Sequence, residues 1–296
     1  MALMAAMSVI FAGEREGACV VAHVHHHQRS EADEECELVR HTASNLGLAF
    51  EVRHLDLPCG ASPASLRAAR YAALIDVAMS TDSSWIATAH QAQDQLETVL
   101  LAIVRGAGPT GLVGMDSKRE LTDGIMLVRP MLEVDRSEAA SLCKRASIVW
   151  CDDPGNVDPN TLRGRLRQEV LPVLESMRPG VARRLSATRD IRSAAVDALA
   201  AAIPEPNDGE WPRDLLSPLP SGLLRATIHA AAVGLAGGAD VIGSEPVRAA
   251  AEAVKDSRMH RRIFELGGGV VLVLEAQRAR IDRVQPPEGI DARPPM

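Results

Sequence analysis

Trp85-Ile-Ala-Thr-Ala-His-Gln-Ala-Gln-Asp-Gln-Leu-Glu-Thr-Val-Leu-Leu101 is the stretch that decides the fold. Trp85 to Ala89 is a short apolar run of strand character, and from Gln91 to Arg105 the pattern becomes that of a helix. Leu96, Val99, Leu100 and Ile103 recur at helical spacing and make a face that can pack on the sheet. With His90 at the start of the helix, Asp94 and Glu97 fall at i+4 and i+7, on one face. An imidazole and two carboxylates at the carboxyl end of a parallel strand stand where such sheets bind ligands. The set could hold an ammonium ion, coordinate magnesium or serve as a base. It could equally be the solvated face of a helix.

The same alternation extends in both directions. Ala18 to Val24 is nearly continuous apolar sequence, as expected of a strand buried on both faces, and Glu31 to Leu46 reads as a helix. Phe50 to Leu55 alternates as a second strand. Ser62-Pro63 supplies an N-cap and a proline at the first helical position, opening a helix that runs to about Met79. Gly106 to Pro109 ends the helix of the opening stretch, and Ile125 to Val128 is a further strand stopped by Pro130. These elements predict an α/β fold, a parallel sheet with helices on both faces, over residues 1–158. Asp152 to Pro159 is a run of turn formers that marks a boundary. A basic helical linker over 159–192 and a mainly helical domain over 193–296 follow. That domain holds a Pro-rich loop from Ile203 to Pro220 and ends in a hairpin, Arg262–Leu266 and Val270–Leu274 flanking Gly267 to Gly269.

Composition narrows the class. Hydrophobic residues at 46% and charged residues at 24% are ordinary for a soluble globular chain, and with aromatics at 2% the cores must be built from Ala, Leu, Val and Ile. The five cysteines form no Cys-x-x-Cys pair, which argues against a disulfide framework or a thiolate zinc site and for a reducing cytoplasm. Met1 to Phe11 is apolar, but it lacks a positive start and Glu14, Arg15 and Glu16 follow at once. It reads as an amphipathic core helix, not a signal peptide or membrane span. The net charge of −7 does not advertise a nucleic-acid binder. Between Thr161 and Arg192, however, eight arginines stand against Glu169, Glu175 and Asp190, which on charge alone describes a solvated helical face. Histidines 25 to 27 are consecutive on a turn and cannot easily all face one ion, so no metal site is expected.

Several motifs, in one order, resemble the tRNA(Ile)-lysidine synthetase family of N-type ATP pyrophosphatases. Ala89-His-x-x-x-Asp-Gln-x-Glu-Thr-x-Leu-Leu101 followed by Arg105-Gly-Ala-Gly108 is similar to the family's signature block. Leu66-Arg-Ala-Ala-Arg-Tyr71, Ala22-His-Val-His-His26 with Arg29, Arg129-Pro130, and Trp150 with Asp153 and Asn156 also match. So do Leu162-Arg-Gly-Arg-Leu-Arg167 and Leu171-Pro-Val-Leu174; the likeness covers roughly residues 3 to 180. It implies an adenine nucleotide alpha hydrolase-like fold and an ATP-dependent ligation of lysine to C2 of the wobble cytidine of tRNA(Ile), through an adenylated cytidine. ATP, Mg²⁺, L-lysine and tRNA(Ile) are the implied substrates and partners, with a dimer as the expected assembly. Asp94 and Glu97 would hold and orient lysine with His90 beside them, and Arg70 and Arg163 would act near the reacting phosphate and cytidine. His23 and Val24 would border the adenine, and Arg165, Arg167, Arg183 and Arg184 would contact tRNA phosphates.

One departure stands out. The family's phosphate loop, Ser-Gly-Gly-x-Asp-Ser, lies between its first strand and first helix, and Met1-Ala-Leu-Met-Ala-Ala-Met7 resembles the helix directly after it. The expected fold therefore lacks its first strand, and this chain by itself is not expected to bind ATP properly. Either Met1 is an internal methionine, the favoured reading, or the product is a non-catalytic tRNA-binding remnant. Ala236-Gly-Gly-Ala-Asp240 only superficially resembles the loop, because no strand precedes it. Another tRNA-modifying ATP pyrophosphatase, such as a thiolase, is the other alternative, although the cysteines are not arranged for one.

Overall fold

A computed structural model describes residues 1–13, 18–27, 32–55, 58, 60–151, 161–237, 241–256 and 260–284. Arg29, Asp153, Asn156, Cys59, the 152–159 boundary and the end of the 236–240 decoy lie outside the described residues. Two compact units emerge: Met1–Val104 with Gly111–Asp190, and Arg105–Thr110 with the chain from Ile191 on.

The first unit opens with α1 (Ala2–Ile10), β1 (Val20–His25), α2 (Ala32–Asn45), β2 (Ala49–His54) and α3 (Pro63–Ser80). The start of α3 follows its chemistry: the Ser62 side chain accepts from the Ser65 N–H, and Pro63 occupies the first turn. β1 and β2 are parallel, with His25 opposite His54 at their carboxyl ends. Next come β3 (Trp85–Ala87), α4 (Ala92–Val104), α5 (Pro109–Val113), β4 (Lys118–Thr122) and β5 (Ile125–Val128). β3 and β5 are parallel, and β4 adds an antiparallel edge that the sequence reading did not anticipate. α6 (Arg136–Arg145), α7 (Leu162–Arg165), a π-helical turn (Leu166–Val170), α8 (Leu171–Met177) and α9 (Val181–Ala187) follow, and α10 (Arg189–Ala202) belongs from Ile191 on to the second unit. The α/β character expected from the sequence is present: parallel strands with helices against them.

The sheet is in two pieces, β1–β2 and β3–β5–β4. A cavity of about 730 Å³ lies against both, lined by Val20, Ala22 and His23 of β1, Trp85 and Ala87 of β3, and Met4 of α1. This accounts for a difference from the sequence reading. β1 is half-buried along most of its length instead of being covered on both sides, because one flank meets open space and not another strand. The expectation for α4 also needs correcting. Leu96 and Leu100 pack on Ala182, Leu171, Leu174 and Leu185 of α8 and α9, not on the sheet, and Ile103 is exposed. β3, at three residues, offers little surface for a helix of thirteen.

The second unit is built on β6 (Glu210–Pro212), α11 (Arg213–Leu216), α12 (Ser221–Ala236), α13 (Ser244–Lys255), β7 (Arg262–Gly267), β8 (Val270–Leu274) and β9 (Arg278–Arg283). The expected hairpin is there as β7–β8, but it is half of a four-stranded sheet in the order β6-β9-β8-β7. Gly267 has φ +106° and a Cβ there would meet the Val241 carbonyl oxygen, so only glycine turns the chain at that point. Leu224, Ile228, Ala250, Leu272, Leu274 and Trp211 fill the core beneath.

Candidate active site

α4 starts where β3 ends, which puts His90, Asp94 and Glu97 at the carboxyl edge of the sheet. Asp94 Oδ2 accepts from the Gln91 N–H at 2.8 Å, satisfying a free donor of the helix start. Its other oxygen, Oδ1, accepts from Arg167 Nη2 at 3.0 Å and faces Arg163 Nη2 at 3.5 Å. Glu97 is 2% exposed; its Oε2 accepts from Arg163 Nε at 2.8 Å and its Oε1 from Arg167 Nε. Two carboxylates and two guanidinia thus form a closed charge set, in which each arginine touches both acids. Arg163 and Arg167 are four residues apart and share a helical face. Pro172 lacks an N–H for the Gln168 carbonyl, a physical reason for the π-helical widening just before it. A small cavity of about 200 Å³ opens beside the set, lined by Asp94, Glu97, Arg167, Gln91, Arg136 and Glu175.

His90 belongs to a second cluster. Its Nδ1 lies 2.9 Å from the Thr88 hydroxyl. Burial brings its pKa down to about 4; Asp94 opposes this, while Arg129, Arg70 and Arg67 add to it. The ring is therefore neutral at neutral pH. Arg67, Arg70 and Arg119 also lie 5.0, 5.6 and 5.5 Å from the Tyr71 ring centroid. Burial alone would raise the Tyr71 pKa, but Arg67, Arg129 and Arg70 outweigh it and hold the phenol below its ordinary value. Burial and the neighbouring Arg70, Arg129 and Arg119 lower the pKa of Arg67. Arg129 is 4% exposed, and its Nε has no hydrogen-bond partner. Among the described residues no carboxylate pairs with these four arginines, and a crowded set of cations of this kind favours a bound anion.

The structure sorts the residues singled out from the sequence. Asp94, Glu97, Arg163 and Arg167 meet directly, and His90 and Arg70 belong to the neighbouring cationic cluster. His23 lies apart, half-buried on β1 and lining the large cavity, with its ring near Phe50 at 6.5 Å; Val24 follows it on the strand. Burial, followed by the nearby His25, His26, His54 and Arg40, lowers the His23 pKa. Arg167, expected at tRNA phosphates, is 13% exposed and faces carboxylates. Arg165 pairs with Glu169 on the surface, Arg183 donates to Glu138 at 3.1 Å, and Arg184 is exposed. Sequence reasoning quoted Arg67, Tyr71 and Arg129 only as motif letters. Gln95 carried no signal beyond its place in the block, yet it is fully buried and pairs with both backbone groups of Met115 at 2.6 and 3.0 Å.

Comparison with known proteins gives the lineage. The family described as PP-loop domain matches residues 1–174. A tRNA(Ile)-lysidine synthase of Salinispora arenicola is 42% identical over 141 residues, 47% of this chain and 42% of the relative. One of Nostoc sp. is 32% identical over 180 residues, covering 60% and 52%, and one of Bradyrhizobium diazoefficiens is 40% identical over 184 residues, covering 60% and 50%. The chain spans about half the length of the curated relatives it matches. In fold, it is similar to the U34-tRNA thiolase NcsA from Methanococcus maripaludis, solved with its 4Fe–4S cluster. The TM-score is 0.50 at 14% identity, over 64% of this chain and 67% of that one. The chain belongs to the PP-loop domain family, and the curated relatives named above are tRNA(Ile)-lysidine synthases.

Proposed function

We propose that this chain carries the lysine- and tRNA-handling part of a tRNA(Ile)-lysidine synthetase, which uses ATP to join lysine to C2 of the wobble cytidine of tRNA(Ile). The observation that carries the reading is the adjacency of the Asp94–Glu97–Arg163–Arg167 set to the cation cluster around His90, in a chain of this family. Lysine brings an ammonium group and needs an acid; cytidine activation brings phosphate and needs cations. Asp94 is 22% exposed at a small cavity and Glu97 is 2% exposed, so Asp94 is the carboxylate that would meet the ammonium. Glu97 would act as a positioning residue that holds Arg163 and Arg167. Arg163, 46% exposed, is free to swing toward the cytidine without uncovering a core.

The residues fit the nucleoside part of ATP. The large cavity has an apolar lining with His23 at its wall, and Arg70, Arg67 and Arg129 offer guanidinium groups to phosphate. Mg²⁺ would arrive with the phosphates, because both carboxylates already face arginines. Arg165, Arg183 and Arg184 remain the candidates for tRNA phosphates, and the reading places the protein in the cytoplasm, as a dimer in line with the sequence expectation. No helix among the described residues is long and apolar enough to cross a membrane.

A second reading has one observation in its favour: with both acids sealed by arginines, the set could be purely structural in a tRNA-binding protein. Lysine binding separates the two. Calorimetric titration with lysine, with and without tRNA(Ile), should show saturable binding that Asp94→Asn abolishes. No lysine binding by a chain that still holds tRNA would leave only the second reading.

A further inference from the structure

Three histidines outside the proposed active site converge at the carboxyl ends of β1 and β2. His25 ends β1, His54 ends β2 directly opposite it, and His27 lies two residues past His25. One ring nitrogen of each can be chosen so that all three lie within 4.8 Å of one another. His27 Nε2 and His54 Nδ1 are 2.8 Å apart, and the His25 ring centroid is 4.0 Å from that of His27 and 5.2 Å from that of His54. The consecutive histidines of the sequence are therefore not the relevant group. His25 and His27 face the same way, and the third member comes from the next strand.

We propose that His25, His27 and His54 form a zinc-binding site that staples the carboxyl ends of β1 and β2. Three features support it. Imidazole nitrogen suits zinc, whereas magnesium and calcium require oxygen. Nitrogens on a tetrahedral zinc at 2.0–2.1 Å lie about 3.3 Å apart, inside the 4.8 Å span of these three ring nitrogens. His25 is 2% exposed, and its buried Nε2 has no well-directed hydrogen bond, although Asp33 Oδ1 lies 3.0 Å away. Ligation through Nδ1 would leave that Nε2–H to Asp33, the carboxylate–histidine–metal arrangement that fixes a ligating ring. At present Nδ1 has only a long contact of 3.3 Å from the His27 N–H.

The backbone adds a fourth observation. His27 has φ +50°, a left-handed conformation that a non-glycine residue adopts only at some cost. It turns the imidazole back over His25. Strain of this kind at a cluster of ligating side chains has a use if an ion repays it. The proposal rests on this geometry alone and does not depend on the reaction proposed above.

The test is zinc titration of the full chain, purified without a polyhistidine tag, by competition with a chromophoric chelator. One equivalent should bind tighter than micromolar and raise the thermal midpoint. His27→Ala and His54→Ala, both at exposed positions, should each weaken binding roughly ten-fold or more, with circular dichroism unchanged. His27→Asn, which tolerates a left-handed backbone, should weaken it equally. Binding unchanged in all three variants, or no stoichiometric zinc in the parent chain, would overturn the proposal.

Discussion

The guanidinium of Arg163 donates to the buried carboxylate of Glu97 across 2.8 Å, although 66 residues separate the two in the chain. The same carboxylate receives Arg167, so one acid on α4 anchors the whole segment that leads into α8. A charge at 2% exposure persists only when paired, and here each oxygen has its own guanidinium.

Glu97→Ala should destabilise the protein by about 1–3 kcal/mol, because it removes the buried acceptor shared by Arg163 and Arg167 and leaves Asp94 to face both guanidinia. Arg167→Ala should cost a similar amount. Arg163→Ala should cost less than about 1 kcal/mol, since Arg163 is 46% exposed and Glu97 keeps Arg167. Urea unfolding of the three variants checks the order; equal losses at Arg163 and Arg167 would contradict it.

Asp94→Asn should cripple lysine use while leaving tRNA affinity within about two-fold. Asparagine keeps an acceptor for the Gln91 N–H, so the start of α4 stays capped and the fold is retained. Filter binding of tRNA beside lysine titration reads both effects. Equal loss of the two would make Asp94 a structural residue.

Gly114→Ala should destabilise by about 1–3 kcal/mol. Gly114 has φ +82°, and a Cβ there would come within 2.7 Å of Gln95 Oε1, the atom that accepts from the Met115 N–H. Gln95→Ala should cost a comparable amount by leaving both Met115 backbone groups without their partner. The double variant should then lose less than the sum, because alanine at Gly114 clashes with an amide that is no longer there.

His90 binds its proton less readily in the fold, at about 4, than its ordinary 6.5. The unfolded chain therefore takes up more protons between those values. The contribution of neutral His90 to stability is complete above about pH 6.5 and is lost as the pH falls toward 4. His23 is shifted in the same direction, so the comparison that isolates His90 is with His90→Gln. Its urea midpoint should fall less steeply between pH 6.5 and 4 than that of the parent.

Arg184→Ala, at an exposed position, should weaken tRNA binding and lower its salt dependence by about one phosphate contact, a slope change of roughly 0.7–0.9 on a log–log plot. Arg165→Ala should show the same only if it leaves its surface partner Glu169 for tRNA. Nitrocellulose binding across a salt series measures both slopes.

Much of this protein is legible in its sequence because the information is local. The apolar run of β1, the Ser62-Pro63 start of α3, and the glycines of the β7–β8 turn specify structure within a few residues. The spacing of His90, Asp94 and Glu97 placed them at the sheet's carboxyl edge for the same reason. Tertiary structure alone decided how those acids are paired. Arg163 and Arg167 meet Glu97 because α4 packs on α8 and α9 through Leu96 and Leu100, which no local pattern reveals. It decided that Leu96 covers helices and not the sheet, and that Arg167 turns inward. It also joined His54 to His25 and His27, through the parallel register of β1 and β2. Periodicity tells a residue which face it is on; only the packing of distant elements tells it what that face will meet.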